Sequence, residues 1–137
     1  MRTDDRSGFT MLEIIIVLVI ASLIIMFGFP QVGETLRRME LDGATQQLAS
    51  DLRRARIEAM RRNTSVYVAK TDSVTYEIEY VGDRTLPSDV VFDVSSPDTV
   101  RFASFGPTLT GPATYTLSLG GYSGTVFVEA SGLATVD

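Results

Sequence analysis

Glu13 poses the first chemical question. Of the 21 residues from Phe9 to Phe29, 17 are apolar, and no charge follows between Ile14 and Phe29. A carboxylate inside such a segment costs roughly 2.5–3.5 kcal/mol on membrane-insertion scales, so it needs a partner, a purpose, or a place at the headgroups. The residues before it offer a partner. The chain reads Gly8-Phe9-Thr10-Met11-Leu12-Glu13. Cut after Gly8, it would begin with a cationic amine on Phe9, and Glu13 would be the fifth residue, about one helical turn away. That amine could pair with Glu13 of the same chain or of a packed neighbour. In the second case the buried charge becomes an assembly signal.

Other candidate chemistry is sparse. The 137 residues include no His and no Cys, which excludes a disulfide framework, a cysteine nucleophile, a Cys/His zinc site and a His-based triad. Glu77 and Glu79 alternate, so on a strand they share a face and could serve as acid and base; a solvated strand face has the same pattern. Asp72, Asp83, Asp89, Asp93 and Asp98 fall in or near loops and could offer oxygens to calcium. No EF-hand-like spacing joins them, and turn chemistry accounts for them. Gly120-Gly121-Tyr122-Ser123-Gly124 has no following Lys and opens no helix, so it reads as a hairpin loop rather than a phosphate cradle. No catalytic residue, metal or cofactor is expected.

The elements that position Glu13 follow from composition. The chain has 61 apolar residues; outside Phe9–Phe29 the other 116 positions share 44 of them. Two materials are therefore joined, a membrane-grade segment and an ordinary soluble domain. As a helix, 21 residues span roughly 31 Å, enough for a bilayer core of about 30 Å. A cleaved secretory signal has a shorter apolar region followed by a small-residue cleavage site, whereas here Ile24-Ile25-Met26-Phe27 continue beyond Ala21-Ser22. A generic signal anchor explains the length but not Glu13. Orientation is not fixed by flanking charge, because Arg2 and Arg6 on one side match Arg37 and Arg38 on the other.

Ser7-Gly8-Phe9-Thr10-Met11-Leu12-Glu13 followed by an apolar run resembles the class III leader of type IV pilins and type II secretion pseudopilins. The resemblance implies residues 1–8 as a leader, cleavage between Gly8 and Phe9 by a prepilin peptidase, N-methylation of Phe9, and Glu13 as the assembly carboxylate. It also implies an amino terminus in the cytoplasm. The leader departs from the usual basic pattern, since Asp4 and Asp5 accompany Arg2 and Arg6. Pro30 is expected to end or kink the membrane helix of residues 9–30; the family often has a Pro near this place, where the helix can melt locally in a filament.

Residues 31–137 then form the globular domain. Leu41, Ala44, Leu48, Leu52, Ala55 and Ala59 step by three and four residues, a helical stripe suited to a core and to close packing on a sheet. The helix should run over 31–62, with Asn63 as its stop. Its other face carries Arg37, Arg38, Arg53, Arg54, Arg56, Arg61 and Arg62, which read as solvated and self-paired, with Glu34 in reach of Arg38 and Glu58 in reach of Arg54 and Arg62. From residue 65 to 137 the period shortens. Ser65–Lys70, Val74–Tyr80, Val90–Val94, Thr99–Phe105, Thr114–Leu119, Thr125–Ala130 and Leu133–Val136 read as strands, with turn signals such as Gly82-Asp83 between them. The fold class is α+β: a long amino-terminal helix, its first half membrane-spanning, packed on a small antiparallel sheet.

The helix end, Leu52 to Arg62, and the closing Gly124-Thr125-Val126-Phe127-Val128-Glu129-Ala130-Ser131-Gly132 resemble the GspH/FimT group. That resemblance implies a non-catalytic minor pseudopilin of type II secretion at the pseudopilus tip, or alternatively a FimT-like minor type IV pilin in pilus assembly or DNA uptake. The implied partners are other pilins or pseudopilins in a filament, the prepilin peptidase and inner-membrane lipid. The implied location is the inner membrane, single-pass, with a periplasmic carboxy-terminal domain. DNA is not an expected partner. FimT-like DNA binders often place Arg just after a Gly near the final strands, and here Gly132 is followed by Leu133. Residues 65–137 also carry three basic and nine acidic side chains, whereas phosphate binding depends on cations and counterion release.

Overall fold

The computed structural model describes residues 9–87 and 89–137; the side chains of residues 27–32 lie outside the description, as do Gly8 and the rest of the expected leader. The chain divides into two compact units, Met1–Leu36 and Arg37–Asp137. One helix, α1 (Met11–Arg62), contributes to both. It continues through residue 30, so the helix does not end at Pro30. A helical proline removes one donor and crowds the preceding turn; here those costs leave the backbone helical on both sides.

The carboxyl end of α1 falls where Asn63 predicts. Asn63 takes a left-handed φ of 51°. Its N–H bonds the Met60 carbonyl at 3.3 Å, and the Thr64 N–H bonds the Ala59 carbonyl at 3.2 Å. These are the two bonds of a Schellman ending, which satisfy carbonyls the helix would otherwise leave open. Arg61 and Arg62 in the last turn also suit the negative end of the helix dipole.

In the second unit, the six residues of the predicted stripe are all buried, none more than 3% exposed. Eight strands follow: β1 (Val66–Lys70), β2 (Thr75–Ile78), β3 (Gly82–Thr85), β4 (Val91–Phe92), β5 (Thr99–Phe102), β6 (Ala113–Leu119), β7 (Tyr122–Val128) and β8 (Ala134–Val136). They form two antiparallel sheets rather than one, in the orders β3-β2-β1-β5 and β4-β6-β7-β8. Alternate residues of both, among them Val68, Ile78, Val100, Leu117 and Val126, join the helical stripe in one core. All seven predicted strands are present with shifted ends, and β3 is additional. The expected turn at Gly82-Asp83 instead lies over residues 79–81, with Tyr80 at φ 66° and the Val81 N–H bonded to the Ile78 carbonyl. The Arg62 guanidinium stacks 4.6 Å from the Tyr80 ring centre, which gives that uncommon conformation a tertiary support.

Polar side chains fasten these layers. The buried Ser96 hydroxyl donates to the Thr116 carbonyl and accepts the Thr116 N–H, while Lys70 Nζ donates to the Ser96 carbonyl. One loop is thereby bonded to both β6 and β1, in different sheets.

Candidate functional site

The amino-terminal unit is described from Phe9 onward. Thr10 caps α1: its carbonyl accepts the N–H groups of Glu13 and Ile14 at 3.0 and 3.2 Å, and its Oγ1 lies 3.3 Å from the Glu13 N–H. Thr10-Met11-Leu12-Glu13 has the spacing of a capping box, and a carboxylate in the first turn also favours the positive end of the helix dipole. Glu13 thus has a local reason to stand where it does, in addition to the pairing with the Phe9 amine expected from sequence.

Around it the helix is apolar on every side. Phe9 is 78% exposed and Met11 85%, and the large apolar side chains from Leu12 to Ile20 and from Leu23 to Met26 are likewise exposed. A helix apolar all round belongs in a core or a membrane. Its one described hydroxyl between Met11 and Met26, on Ser22, is satisfied within the helix by the Val19 carbonyl at 2.7 Å, which suits a medium without water. A shallow groove of about 250 Å³ runs along Phe9, Glu13, Ile14, Val17 and Leu18. The structure therefore brings Phe9 and Glu13, two of the expected site residues, onto one groove. Gly8 lies outside the described residues, as does the Pro30 side chain. Among the described residues, no helix is long and apolar enough to cross a membrane; the apolar stretch with described side chains runs from Met11 to Met26, short of the roughly 20 residues a span needs.

In the globular unit, the arginine face of α1 is only partly self-paired. Glu58 pairs with Arg61, and with Arg62 as expected. Hydrogen bonds from Arg61, then Arg62, hold its carboxyl down at about 2. Others turn inward. Arg53 Nε donates to the Ala134 carbonyl at 2.9 Å, Arg56 Nε to the Gly106 carbonyl at 3.2 Å, and Arg38 lies 4.7 Å from the centre of the Tyr122 ring. Sequence spacing reports i±4 neighbours and carries no signal for these partners 50 to 84 residues away along the chain.

The remaining candidates have structural duties. The Glu79 carboxylate accepts the Tyr67 N–H at 3.2 Å, while Glu77 stands opposite Asp83 on β3. The charge of Glu77, foremost, raises the Tyr67 phenol above its usual range. Asp72 accepts the N–H groups of Val74 and Thr75, and Asp93 accepts the Ser95 hydroxyl and backbone N–H; these hydrogen bonds lower both carboxyls and mark turn chemistry. Among the described residues no three acidic side chains gather as a metal site.

Residues 44–132 match the family described as Type II transport protein GspH, and residues 4–29 match the prokaryotic N-terminal methylation motif. Pilin-like protein PilA1 of Thermus thermophilus is 39% identical over 61 residues, which are 44% of this chain; the chain spans 38% of the length of that relative. The fold is similar to that of the type IV minor pilin FimU of Pseudomonas aeruginosa, with a TM-score of 0.65 at 14% identity over 73% of this chain and 90% of that one. It is also similar to the minor pseudopilin EpsH from the Type 2 Secretion System of Vibrio cholerae, with a TM-score of 0.56 at 15% identity over 72% and 96% of the two chains. At such identities the likeness is one of fold. The helix from residue 44 onward and the strands β1 to β7 lie within the span that matches the family, and on that match the chain belongs to the type IV pilin-like GspH family.

Proposed function

We propose that this chain is a minor pseudopilin of a type II secretion system, a non-catalytic subunit at the tip of a pseudopilus that drives protein export from the periplasm. The observation that carries the reading is the co-occurrence in one chain of the N-terminal methylation motif at residues 4–29 and the GspH match at residues 44–132. In this reading a prepilin peptidase removes residues 1–8 by cutting between Gly8 and Phe9, and Phe9 is N-methylated. The segment of residues 9–30 holds the protein in the inner membrane, and residues 31–137 face the periplasm. On assembly the apolar helix moves from lipid into a bundle, where Glu13 pairs with the Phe9 amine of a neighbouring subunit. Pro30 is the place where the helix adjusts inside the filament.

A second reading, a minor type IV pilin, is favoured by the higher TM-score to FimU than to EpsH. A deletion strain scored for secreted enzymes, surface motility and DNA uptake separates the two. Loss of secretion alone selects the pseudopilus, and loss of motility or uptake with secretion intact selects the pilus. Amino-terminal sequencing of the membrane-extracted protein tests both, with methylated Phe9 expected as the first residue and an uncut Met1 contradicting either.

A further inference from the structure

The outer edge of β8 borders an open groove along α1. In the β7–β8 register Phe127 faces Thr135, and the Asp137 N–H bonds the Thr125 carbonyl. Residues 133, 135 and 137 therefore direct their backbone groups to β7, while Ala134 and Val136 direct theirs outward. The Ala134 carbonyl is taken by Arg53. The Val136 N–H and C=O have no hydrogen-bond partner among the described residues. Beside them the groove has a volume of about 510 Å³, lined by Gln46, Ala49, Ser50, Arg53, Thr135 and Val136. Gln46, Ser50 and Arg53 stand one above another on the helix. The Gln46 amide and Ser50 hydroxyl are also unpartnered among the described residues.

We propose that this groove receives an extended, acidic peptide segment of another protein chain, added as a strand to β8 with a carboxylate on Arg53. An outward N–H and C=O on one edge residue are matched by an extended backbone, the chemistry of strand addition. Arg53 specifies the charge. Its Nε is anchored on β8, which fixes the side chain and leaves the two terminal nitrogens to meet a carboxylate as a fork. Gln46 and Ser50 add one wall of donors and acceptors. By contrast, the outer edge of β5 is already covered: the Leu109 N–H bonds the Arg101 carbonyl, and Phe102 bridges Thr108. The inference stands apart from the filament reading, since a strand acceptor of this kind needs neither cleavage nor assembly.

The test is a nuclear magnetic resonance titration of the full-length, isotope-labelled chain in detergent micelles. The probe is the acetylated and amidated peptide Thr-Val-Glu-Val-Thr-Val, compared with a version carrying Lys for Glu and one with Pro at alternate positions. The expected result is saturable shifts centred on the Val136 and Ser50 amides, with slowed exchange of the Val136 N–H. The Lys peptide, and separately Arg53→Gln, should weaken binding about tenfold, the worth of a good charge-assisted contact. The Pro peptide should not bind. Absence of saturable shifts at Val136 with the Glu peptide overturns the proposal, as does equal binding of the Pro or the Lys peptide. The peptide comparisons need no variant, so a folding defect in Arg53→Gln leaves the test intact.

Discussion

Two glycines set how closely backbone layers approach. A Cβ on Gly124 in β7 would lie 2.7 Å from Thr45 Cγ2. Thr45 is buried and its hydroxyl donates to the Asp42 carbonyl, so the methyl has little freedom to retreat. Gly124→Ala is expected to cost about 1–3 kcal/mol through overpacking. Thr45→Ser, which removes that methyl, should recover most of the loss. Denaturant unfolding of the single and double variants measures this, and strict additivity would show that the contact is not the cause. Gly132 is tighter still. Its Cβ would fall 2.0 Å from the Gly106 carbonyl oxygen, at a φ of +83°. Backbone cannot move aside as a side chain can, so Gly132→Ala should cost about 3–4 kcal/mol or abolish folding. Gly111→Ala is the control, with a similar φ but open space around it, and should lose only about 1 kcal/mol of backbone strain.

At the scale of elements, α1 is joined to the β2–β3 hairpin by a small polar network. The buried Tyr76 hydroxyl donates to Asp51 Oδ2 at 2.7 Å, and Arg84 Nε of β3 lies 3.9 Å from the same oxygen. Burial first, and the Asp51 hydrogen bond next, push the phenol well above its usual range. Tyr76→Phe keeps the packing and removes the bond, so a loss of about 2 kcal/mol is expected in denaturant unfolding; an unchanged midpoint would mean the bond only replaces one to water. The carboxyl end of α1 has its own pH signature. Glu58 is depressed from 4.5 to about 2 in the folded chain. Its contribution is therefore complete above about pH 4.5 and lost as pH falls toward 2. Melting curves of the protein and of Glu58→Gln should differ modestly at neutral pH, because the arginine partners are solvent-accessible and the pair is screened. They should converge as pH falls through that window, and a gap that stays constant would assign the difference to something other than ionisation.

The whole molecule is two materials on one helix. In the described chain the unit ending at Leu36 leaves its large apolar side chains exposed, whereas the unit from Arg37 closes a core of its own. In the proposed membrane and filament setting, this is where Glu13 acquires its cost. Glu13→Leu is expected to insert as well as the natural protein, or better, yet to assemble poorly. Fractionation followed by filament isolation checks both halves, and normal assembly of the variant would remove the pairing with the Phe9 amine. Charge is divided in the same way: residues 31–62 net +2 and residues 65–137 net −6. Arg53 and Arg56 each spend Nε on a carbonyl, one in β8 and one in a loop.

Local rules made much of this legible in the sequence. Leu41, Ala44, Leu48, Leu52, Ala55 and Ala59 form the buried stripe because helical period is a property of neighbouring residues. Asn63 ends the helix because a left-handed residue and two returning N–H groups are local as well. The roles of Phe9 and Glu13 rest on the cost of a charge in an apolar segment and stay a proposal. Tertiary structure alone decided that the strands divide into two sheets and that Gly82–Thr85 pairs as β3. It also decided that Arg53 and Arg56 serve as clamps, and that Gly124 and Gly132 are points of contact. Each of these depends on a partner far along the chain, and a sequence read through its nearest neighbours contains the donor but not the carbonyl it will meet.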